Sequence, residues 1–153
     1  MLLWRISNHP GLDGRGGLET SARWHSQGRP IVYLAESVAA ALLEMMVHLE
    51  LSPFRLPRSY RLLKLEAPEA IATEEVSADD LAVNWTEEEI LTRTVGDQWL
   101  AANRTALLRV PSAIAPETFN VLMNPAHAAA RSVKVVWHRE YRWDLRLISH
   151  RRE

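Results

Sequence analysis

The fold of this chain is decided by residues 31–51, which read IVYLAESVAAALLEMMVHLEL. Residues 31–35 form a compact apolar run with β-branched and aromatic members, and this composition predicts a buried strand. Ser37 then occupies the position of a helix N-cap, and residues 38–51 are rich in strong helix formers. The next two prolines are expected to end that helix. The stretch therefore predicts a strand that leads directly into a helix.

The predicted helix has two unlike faces. At 100° per residue, its apolar face consists of Val38, Leu42, Met45, Met46 and Leu49. The opposite side carries Ser37, Glu44 and His48, flanked by two small alanines. Periodicity alone favours the interpretation that Glu44 faces water. The alternative is that the alanines leave room for a ligand and that Glu44 points into a cleft, and helical phase cannot decide between the two.

Short elements of both kinds are predicted along the rest of the chain. Strands are expected at residues 2–7, 60–66, 106–110, 120–123, 133–138 and 143–148, and helices at 95–103 and 125–131. The acidic residues 67–89 receive no firm assignment. Because strands and helices do not alternate as in a doubly wound sheet, the pattern predicts an α+β fold. A length of 153 residues fits one domain, so we expect a single domain over residues 1–153.

Composition argues against several classes of protein. A net charge of -1 is unlike a nucleic-acid-binding surface, and the only dense basic run is at residues 151–152. With no cysteine, the chain has no disulfide, thiolate nucleophile or sulfur-ligated zinc. The six histidines lack metal-ligand spacing, so no metal site is expected. No signal peptide is visible, and the longest apolar run, residues 38–43, is too short to cross a bilayer. We therefore expect a cytoplasmic protein without a membrane or nucleic-acid partner.

Common nucleotide and hydrolase motifs are also absent. A dinucleotide-binding pattern that began at Gly14 would need glycine at position 19, where the chain has Glu19. The phosphate-loop pattern and the nucleophile elbow of the hydrolases are missing as well. Any nucleotide must therefore be bound in another way.

Several short motifs follow one another in a definite order. They are Trp4-Arg5-Ile6, SARWHSQG at residues 21–28, the strand and helix of residues 31–44, VPSA at 110–113 and NVLMNP at 120–125. Together they resemble the RES domain, a toxin family named for its arginine, glutamate and serine, over about residues 3–128. The chain departs from the family pattern at Ala22, where glycine is usual, and at His25, where asparagine is common.

The resemblance implies a fold similar to the ADP-ribosyltransferase toxins and an enzyme that uses NAD⁺ as substrate, with no bound prosthetic group. RES proteins are typically toxins paired with an Xre-type antitoxin that covers the active site, which implies a hetero-oligomer. Some members destroy NAD⁺ by hydrolysis or phosphorolysis, and others transfer ADP-ribose to a target protein. The acceptor in this chain is therefore left open between water, phosphate and a protein side chain.

Matched onto this sequence, the family pattern makes Glu44 the candidate catalytic carboxylate. Cleavage of the nicotinamide–ribose bond passes through an oxocarbenium-like state, as in glycoside hydrolysis. A carboxylate beside the ribose stabilises that positive charge more in the transition state than in the ground state. Nicotinamide departs as a neutral molecule, so the leaving group needs no general acid.

The remaining candidates suit the other parts of NAD⁺. Arg5 and Arg23 match the pyrophosphate or ribose edge, because arginine binds phosphate in a bidentate manner. Tyr33 offers a ring for nicotinamide and a hydroxyl for orientation, which makes it, with Arg23, a candidate for the catalytic group. Ser112 is a donor to the nicotinamide amide or a ribose oxygen, and Asn120 is a further candidate for binding NAD⁺.

Each candidate also has a structural interpretation. Arg5 could form an ion pair on an edge strand, Arg23 could lie on the loop surface, and Tyr33 could belong to the core. Ser112 and Asn120 could serve turns next to proline. The alternative function is a non-enzymatic module that binds NAD⁺, ADP-ribose or a partner protein, which would explain the arginines but leave Glu44 without a role.

Overall fold

Seven strands and three α-helices make up the described structure, which is a computed structural model covering residues 1–49 and 59–147. The strands are β1 (Leu2–Ser7), β2 (Val32–Ala35), β3 (Arg61–Glu66), β4 (Thr73–Glu75), β5 (Leu107–Pro111), β6 (Phe119–Met123) and β7 (Lys134–Glu140). The helices are α1 (Gly16–Glu19), α2 (Val38–His48) and α3 (Glu89–Ala102). The strands form one sheet in the order β4-β5-β6-β2-β1-β3-β7, in which only β4 and β5 are parallel. The predicted α+β class is confirmed.

The sheet opens between its two central strands. β1 pairs with β3 along its whole length, from Leu2 to Ser7. Its pairing with β2 consists of a single position, Trp4 opposite Ala35. On its other side β2 pairs with β6 at every residue. Beyond Trp4 and Ala35 the two central strands therefore separate and leave a gap in the sheet.

The two faces of the sheet pack against different parts of the chain. Val32 and Leu34 of β2 belong to a buried cluster on one face that also contains residues of β1, β3, β5 and β6. The alternate residues Tyr33 and Ala35 contact the clusters formed with α3 and α2 on the other face. This follows from the two-residue period of a strand, which sends successive side chains to opposite faces.

The N-terminus of α2 matches the sequence prediction. Ser37 is its N-cap, and the Ser37 side chain accepts a hydrogen bond from the backbone N–H of Ala40 at 3.1 Å. Met45 is buried, and Val38, Leu42 and Leu49 of the predicted apolar face pack in the same cluster with residues of the sheet. The helix was predicted to run to Leu51, and α2 ends at His48. Residues 50–58, which include Pro53 and Pro57, lie outside the described residues. Periodicity left Glu44 open between water and a cleft; in the structure it is half-buried and accepts hydrogen bonds from Ser112 and Asn120.

Helix α3 begins at Glu89, six residues before the predicted start at Val95. Its first turn exposes Ile90 and Leu91, and its buried positions include Thr92 and Gly96. An apolar stripe of the kind that marks an amphipathic helix is therefore missing from the first two turns. Residues 67–89, which were left unassigned, contain β4 and a short 3₁₀ turn at Ala78–Asp80.

Near the C-terminus two predictions are wrong. The strand predicted at residues 143–148 is absent from its described part, where Leu145–Leu147 form a 3₁₀ turn. The side chain of Asp144 accepts a hydrogen bond from the backbone N–H of Arg146 at 3.0 Å, and this local bond competes with strand pairing. The helix predicted at residues 125–131 is instead a 3₁₀ turn at Ala128–Ser132.

Candidate active site

A cavity of about 600 Å³ lies where β1 and β2 separate. Its walls come from β1, the loop before β2, the end of β2, the inner face of α2 and the segment that joins β5 to β6. The charged and polar side chains among its lining residues are Arg5, Ser7, Asn8, Thr20, Ser21, Arg23, Tyr33, Glu44, His48, Tyr60, Glu89 and Asn120. The gap in the sheet therefore brings together side chains that lie far apart in the sequence.

Glu44 lines this cavity and is held by two donors that act on the same oxygen. Ser112 Oγ donates to Glu44 Oε1 at 2.8 Å, and Asn120 Nδ2 donates to the same atom at 2.6 Å. Within residues 1–49 and 59–147, no hydrogen bond is made to Glu44 Oε2. The carboxylate is thus oriented through one oxygen, and the other remains available to a ligand.

The two donors are themselves held in place. Ser112 Oγ accepts hydrogen bonds from the backbone N–H groups of Ile114 and Ala115, both at 3.2 Å, which leaves its own proton for Glu44. Asn120 lies on β6 directly opposite Ala35 of β2, and both residues are buried. Because the chain turns from Ala35 into α2, the strand register that places Asn120 also places Glu44.

Arg23 reaches the cavity from the loop before β2. Its Nη1 donates to the carbonyl oxygen of Trp85 at 3.3 Å, and its Nη2 lies 3.8 Å from Glu89 Oε1. The Arg23 side chain is 23 % exposed, so it is anchored on one side and open to the cavity on the other. This geometry suits an arginine that binds an anionic part of a ligand.

Arg5 lines the cavity from β1. Its Nη1 donates to the carbonyl oxygen of Gly11 at 2.9 Å. Burial lowers the pKa of Arg5, and the nearby carboxylate of Asp13 opposes that shift. Arginine keeps its charge at neutral pH even so. In the described part of the chain Gly11 is its single hydrogen-bond acceptor, so further guanidinium N–H groups are available.

Tyr33 contributes to the cavity wall, but its hydroxyl holds the neighbouring loop. The hydroxyl oxygen accepts the backbone N–H of Trp24 at 3.2 Å and lies 2.9 Å from His25 Nδ1. The other ring nitrogen of His25 lies 2.9 Å from the carbonyl oxygen of Thr20, which can only accept, so Nε2 carries the proton and Tyr33 donates to Nδ1. Burial raises the pKa of Tyr33 and lowers the pKa of His25. Both groups are therefore neutral at pH 7.

The structure brings the sequence-predicted residues together. Arg5, Arg23, Tyr33, Glu44 and Asn120 all line the same cavity. Ser112 lies just behind them and joins the group through Glu44. Their roles toward NAD⁺ stay predictions.

Sequence reasoning missed several residues of the cavity and its support. His48 was placed beside Glu44 on the same side of the predicted helix but was not named as a site residue, and it lines the same cavity. His25, which holds Tyr33, was noted only as a departure from the family pattern. Trp85 and Glu89, which hold Arg23, lie in an acidic segment without periodicity, and nothing in the sequence marks them.

The described part of the chain has no cluster of metal-binding side chains. Within residues 1–49 and 59–147, no three histidine or acidic side chains come close enough to hold an ion. The same residues include no helix that is both long and apolar enough to cross a bilayer. The fold and cavity thus define a small α+β protein with a cavity that combines arginines with an oriented carboxylate.

Comparison with known proteins assigns the chain to a family. The RES domain model matches residues 2–144. The protein named Toxin Res from Pseudomonas putida is 46 % identical over 135 residues, which cover 88 % of this chain and 92 % of that protein. The Prs ADP-ribosylating toxin from Sphingobium sp. is 39 % identical over 155 residues, which cover 95 % of each. The chain therefore belongs to the RES domain family and is a RES domain toxin.

A solved structure supports the fold independently. A chain in the crystal structure of the M. tuberculosis MbcT–MbcA toxin–antitoxin complex superposes with a TM-score of 0.74 at 14 % sequence identity. The match covers 92 % of this chain and 83 % of that chain. At this identity the likeness shows the fold alone.

Proposed function

We propose that this RES domain toxin cleaves the nicotinamide–ribose bond of NAD⁺, with Glu44 as the catalytic carboxylate. The observation that carries the proposal is the geometry of Glu44. Ser112 and Asn120 both donate to Oε1, and among the described residues none donates to Oε2. Prior orientation of a charge is what allows it to act on a transition state without reorganisation. A non-enzymatic binding module would leave this oriented carboxylate without a role.

In the proposed reaction, the carbon–nitrogen bond breaks and its electron pair leaves with neutral nicotinamide. Positive charge develops on the ribose, and Glu44 Oε2 stabilises that charge or accepts a hydrogen bond from a ribose hydroxyl. An oxygen or nitrogen atom of the acceptor then forms a bond to the anomeric carbon, and the acceptor's proton passes to solvent. Water, phosphate and a protein side chain can all act as this acceptor. The proposal therefore covers cleavage of the nicotinamide–ribose bond and leaves the acceptor open.

The arginines and Tyr33 supply the proposed binding contacts. Arg5 and Arg23 line the cavity and carry guanidinium groups that match a pyrophosphate. Tyr33 lines the same cavity, and its ring offers an apolar surface to nicotinamide. Asn120 and Ser112 act on NAD⁺ through Glu44 in this proposal, as orienting donors.

The decisive experiment measures nicotinamide release from NAD⁺ by purified protein. We expect Glu44→Gln to lower kcat by about 10²-fold or more, the scale for losing one preorganised transition-state contact. Glu66→Gln changes an exposed carboxylate at the end of β3 and serves as the matched control, with wild-type turnover. Equal turnover by Glu44→Gln and wild type would refute the role of Glu44. Tight NAD⁺ binding without turnover would favour the binding module instead.

The acceptor is identified by a separate measurement. Labelled NAD⁺ is incubated with the protein and cell lysate, with and without inorganic phosphate. A labelled protein band indicates transfer to a target, ADP-ribose-1″-phosphate indicates phosphorolysis, and free ADP-ribose indicates hydrolysis.

We further propose that the chain acts in the cytoplasm and is held inactive by an Xre-type antitoxin, which covers the cavity in a hetero-oligomer. The names of the relatives and the toxin–antitoxin complex among the structural neighbours support this pairing. The proposal predicts growth arrest on expression of the toxin alone and relief when a helix-turn-helix protein encoded next to it is co-expressed. Arrest should be lost in Glu44→Gln.

A further inference from the structure

One face of α3 contacts the backbone of the loop that carries Arg23. The hydroxyl of Thr92, which is fully buried, donates to the carbonyl oxygen of Arg23 at 2.8 Å, and the Glu89 carbonyl of its own helix is a second, more distant acceptor at 3.1 Å. One turn further on, Gly96 approaches Trp24 so closely that a Cβ at this position would lie 1.8 Å from the Trp24 carbonyl oxygen. The helix therefore touches the residue that enters the cavity and the residue after it.

Two longer side chains of α3 extend this contact to both ends of the loop. Arg93 Nε donates to the carbonyl oxygen of Ala22 at 3.1 Å. Asp97 accepts the backbone N–H of Ser26 at 2.9 Å and the Ser26 hydroxyl at 2.5 Å. Asp97 also pairs with Arg29 at 3.1 Å. These contacts span residues 22–29, on both sides of Arg23.

The four contacting positions on α3 share one helical face. Residues 93, 96 and 97 follow Thr92 by one, four and five positions, which places all four on one side of the helix. The backbone of the loop pairs at the bridge between Ala22 and His25 and where Gly28 and Arg29 donate to the Gly17 carbonyl, and neither contact involves the Arg23 carbonyl or the Ser26 amide. Because buried backbone groups need partners, α3 supplies what a neighbouring strand would otherwise provide.

The side chain of Arg23 is held by the same part of the chain. Its partners are the carbonyl of Trp85 and the carboxylate of Glu89, the first residue of α3. Backbone and side chain of Arg23 thus both depend on residues 85–97. A group held in this way loses less conformational freedom when it binds a ligand.

We propose that Thr92 and Asp97 are positioning residues that hold the Arg23 loop in its binding geometry and thereby set the affinity for the anionic substrate. The proposal rests on the proposed function, in which Arg23 binds the pyrophosphate of NAD⁺. Neither residue lines the cavity, and neither touches the reacting atoms. Their effect should therefore appear in KM, while Glu44 governs kcat.

The kinetic test uses a pair of substitutions at position 92. Thr92→Val keeps the shape but removes the hydroxyl, and we expect KM for NAD⁺ to rise about fivefold or more, the scale for one hydrogen bond, with kcat unchanged. Thr92→Ser keeps the hydroxyl and should restore a KM close to that of wild type. In an Arg23→Ala background, Thr92→Val should cause no additional rise, since both changes act through one contact.

A destabilised control separates positioning from loss of stability. Trp99 Nε1 donates to Thr105 Oγ1 at 2.9 Å near the other end of α3. Thr105→Val should lower Tm but leave KM at the wild-type value. An unchanged KM in Thr92→Val would overturn the proposal. So would a rise of the same size in the Arg23→Ala background, or in Thr105→Val.

A second measurement does not depend on catalysis. Hydrogen exchange of the Trp24 and Ser26 amides should be faster in Thr92→Val and in Asp97→Asn, and unchanged in Gln98→Ala, an exposed residue of the same helix. Wild-type exchange rates in the first two variants would overturn the positioning role. If wild-type protein failed to cleave NAD⁺, the proposed function would be lost, and the exchange rates would still decide whether α3 holds the loop.

Discussion

Asn120 shows how one neutral side chain controls the orientation of a charge. It donates to Glu44 Oε1, the same oxygen that accepts from Ser112. A hydrogen bond to a charged group contributes roughly 1.5–3 kcal/mol, so Asn120→Ala should lower kcat about tenfold or more. Asn120→Asp should lower it further, because a second carboxylate would repel Glu44. Nicotinamide release measures both, with the exposed Asn84→Ala as control; wild-type kcat in Asn120→Ala would contradict the orienting role.

Tyr33 is important for stability through its hydroxyl. The hydroxyl satisfies the Trp24 amide and His25 at once, so Tyr33→Phe leaves two buried groups without a partner. We expect a loss of about 1–3 kcal/mol in the free energy of unfolding. Urea denaturation of Tyr33→Phe against Tyr141→Phe, a partly buried tyrosine outside the loop, measures the effect. Equal stability of the two variants would show that the hydroxyl bonds contribute nothing.

At the scale of the residue, the sequence predicted which residues line the site better than it predicted their hydrogen-bond partners. The family resemblance singled out Glu44, and its two donors Ser112 and Asn120 were also among the candidates. Their contact with NAD⁺ stays a prediction, and the structure adds that both donate to Glu44. These bonds depend on strand register and on a distance of a few ångströms, and neither is encoded in residue type or spacing.

Two glycines test the packing of the helices against the loop. Gly96→Ala would place a Cβ 1.8 Å from the Trp24 carbonyl, so backbone must move. Overpacking of this kind typically costs about 1–3 kcal/mol, and a Tm measurement should show the loss. Gly16→Ala, where a Cβ meets nothing within 4 Å, is the matched control and should retain or raise Tm. Similar Tm values for both variants would contradict the close contact between α3 and the loop.

At the scale of the element, the strong patterns were reliable and the weak ones were not. The strand at residues 2–7 and the helix N-cap at Ser37 were predicted correctly, and for Ser37 the reason is that capping leaves a local signature in the sequence. The first turns of α3 were missed because their buried positions, Thr92 and Gly96, are polar or small. They are buried against a loop, and a loop imposes no periodicity on its partner.

The whole molecule should lose stability in mild acid through His25. Burial lowers the pKa of His25 from its ordinary value of 6.5; the Thr20 carbonyl and Asp97 oppose this shift, and Arg93 adds to it. Between the lowered pKa and 6.5 the unfolded chain binds more protons than the folded chain, so stability rises with pH. The contribution of neutral His25 is complete above pH 6.5 and is lost as the pH falls toward the lowered pKa.

Calorimetry from neutral to mildly acidic pH measures this dependence. We expect the Tm of the wild-type protein to fall more steeply on acidification than the Tm of His25→Asn, because asparagine removes the titrating imidazole at this position and leaves the other histidines in place. Parallel profiles would show that His25 is not the group responsible.

At the scale of the whole molecule, the opening between β1 and β2 was beyond prediction. Both strands were expected, yet nothing in their sequences shows that they pair at a single position, Trp4 with Ala35. The cavity exists because each strand has a better partner on its other side, β3 and β6. Such competition between strands is a property of the complete sheet.

The register between Ala35 and Asn120 also has a consequence for synthesis of the chain. Glu44 leaves the ribosome 68 residues ahead of Ser112 and 76 residues ahead of Asn120, the two groups that orient it. Contacts of such long range form late, since the intervening chain must first be closed into a loop. A nascent chain therefore carries its carboxylate for about half its length without the geometry to use it. Toxicity should begin only when β6 has been made and docked, which leaves most of translation as a harmless interval.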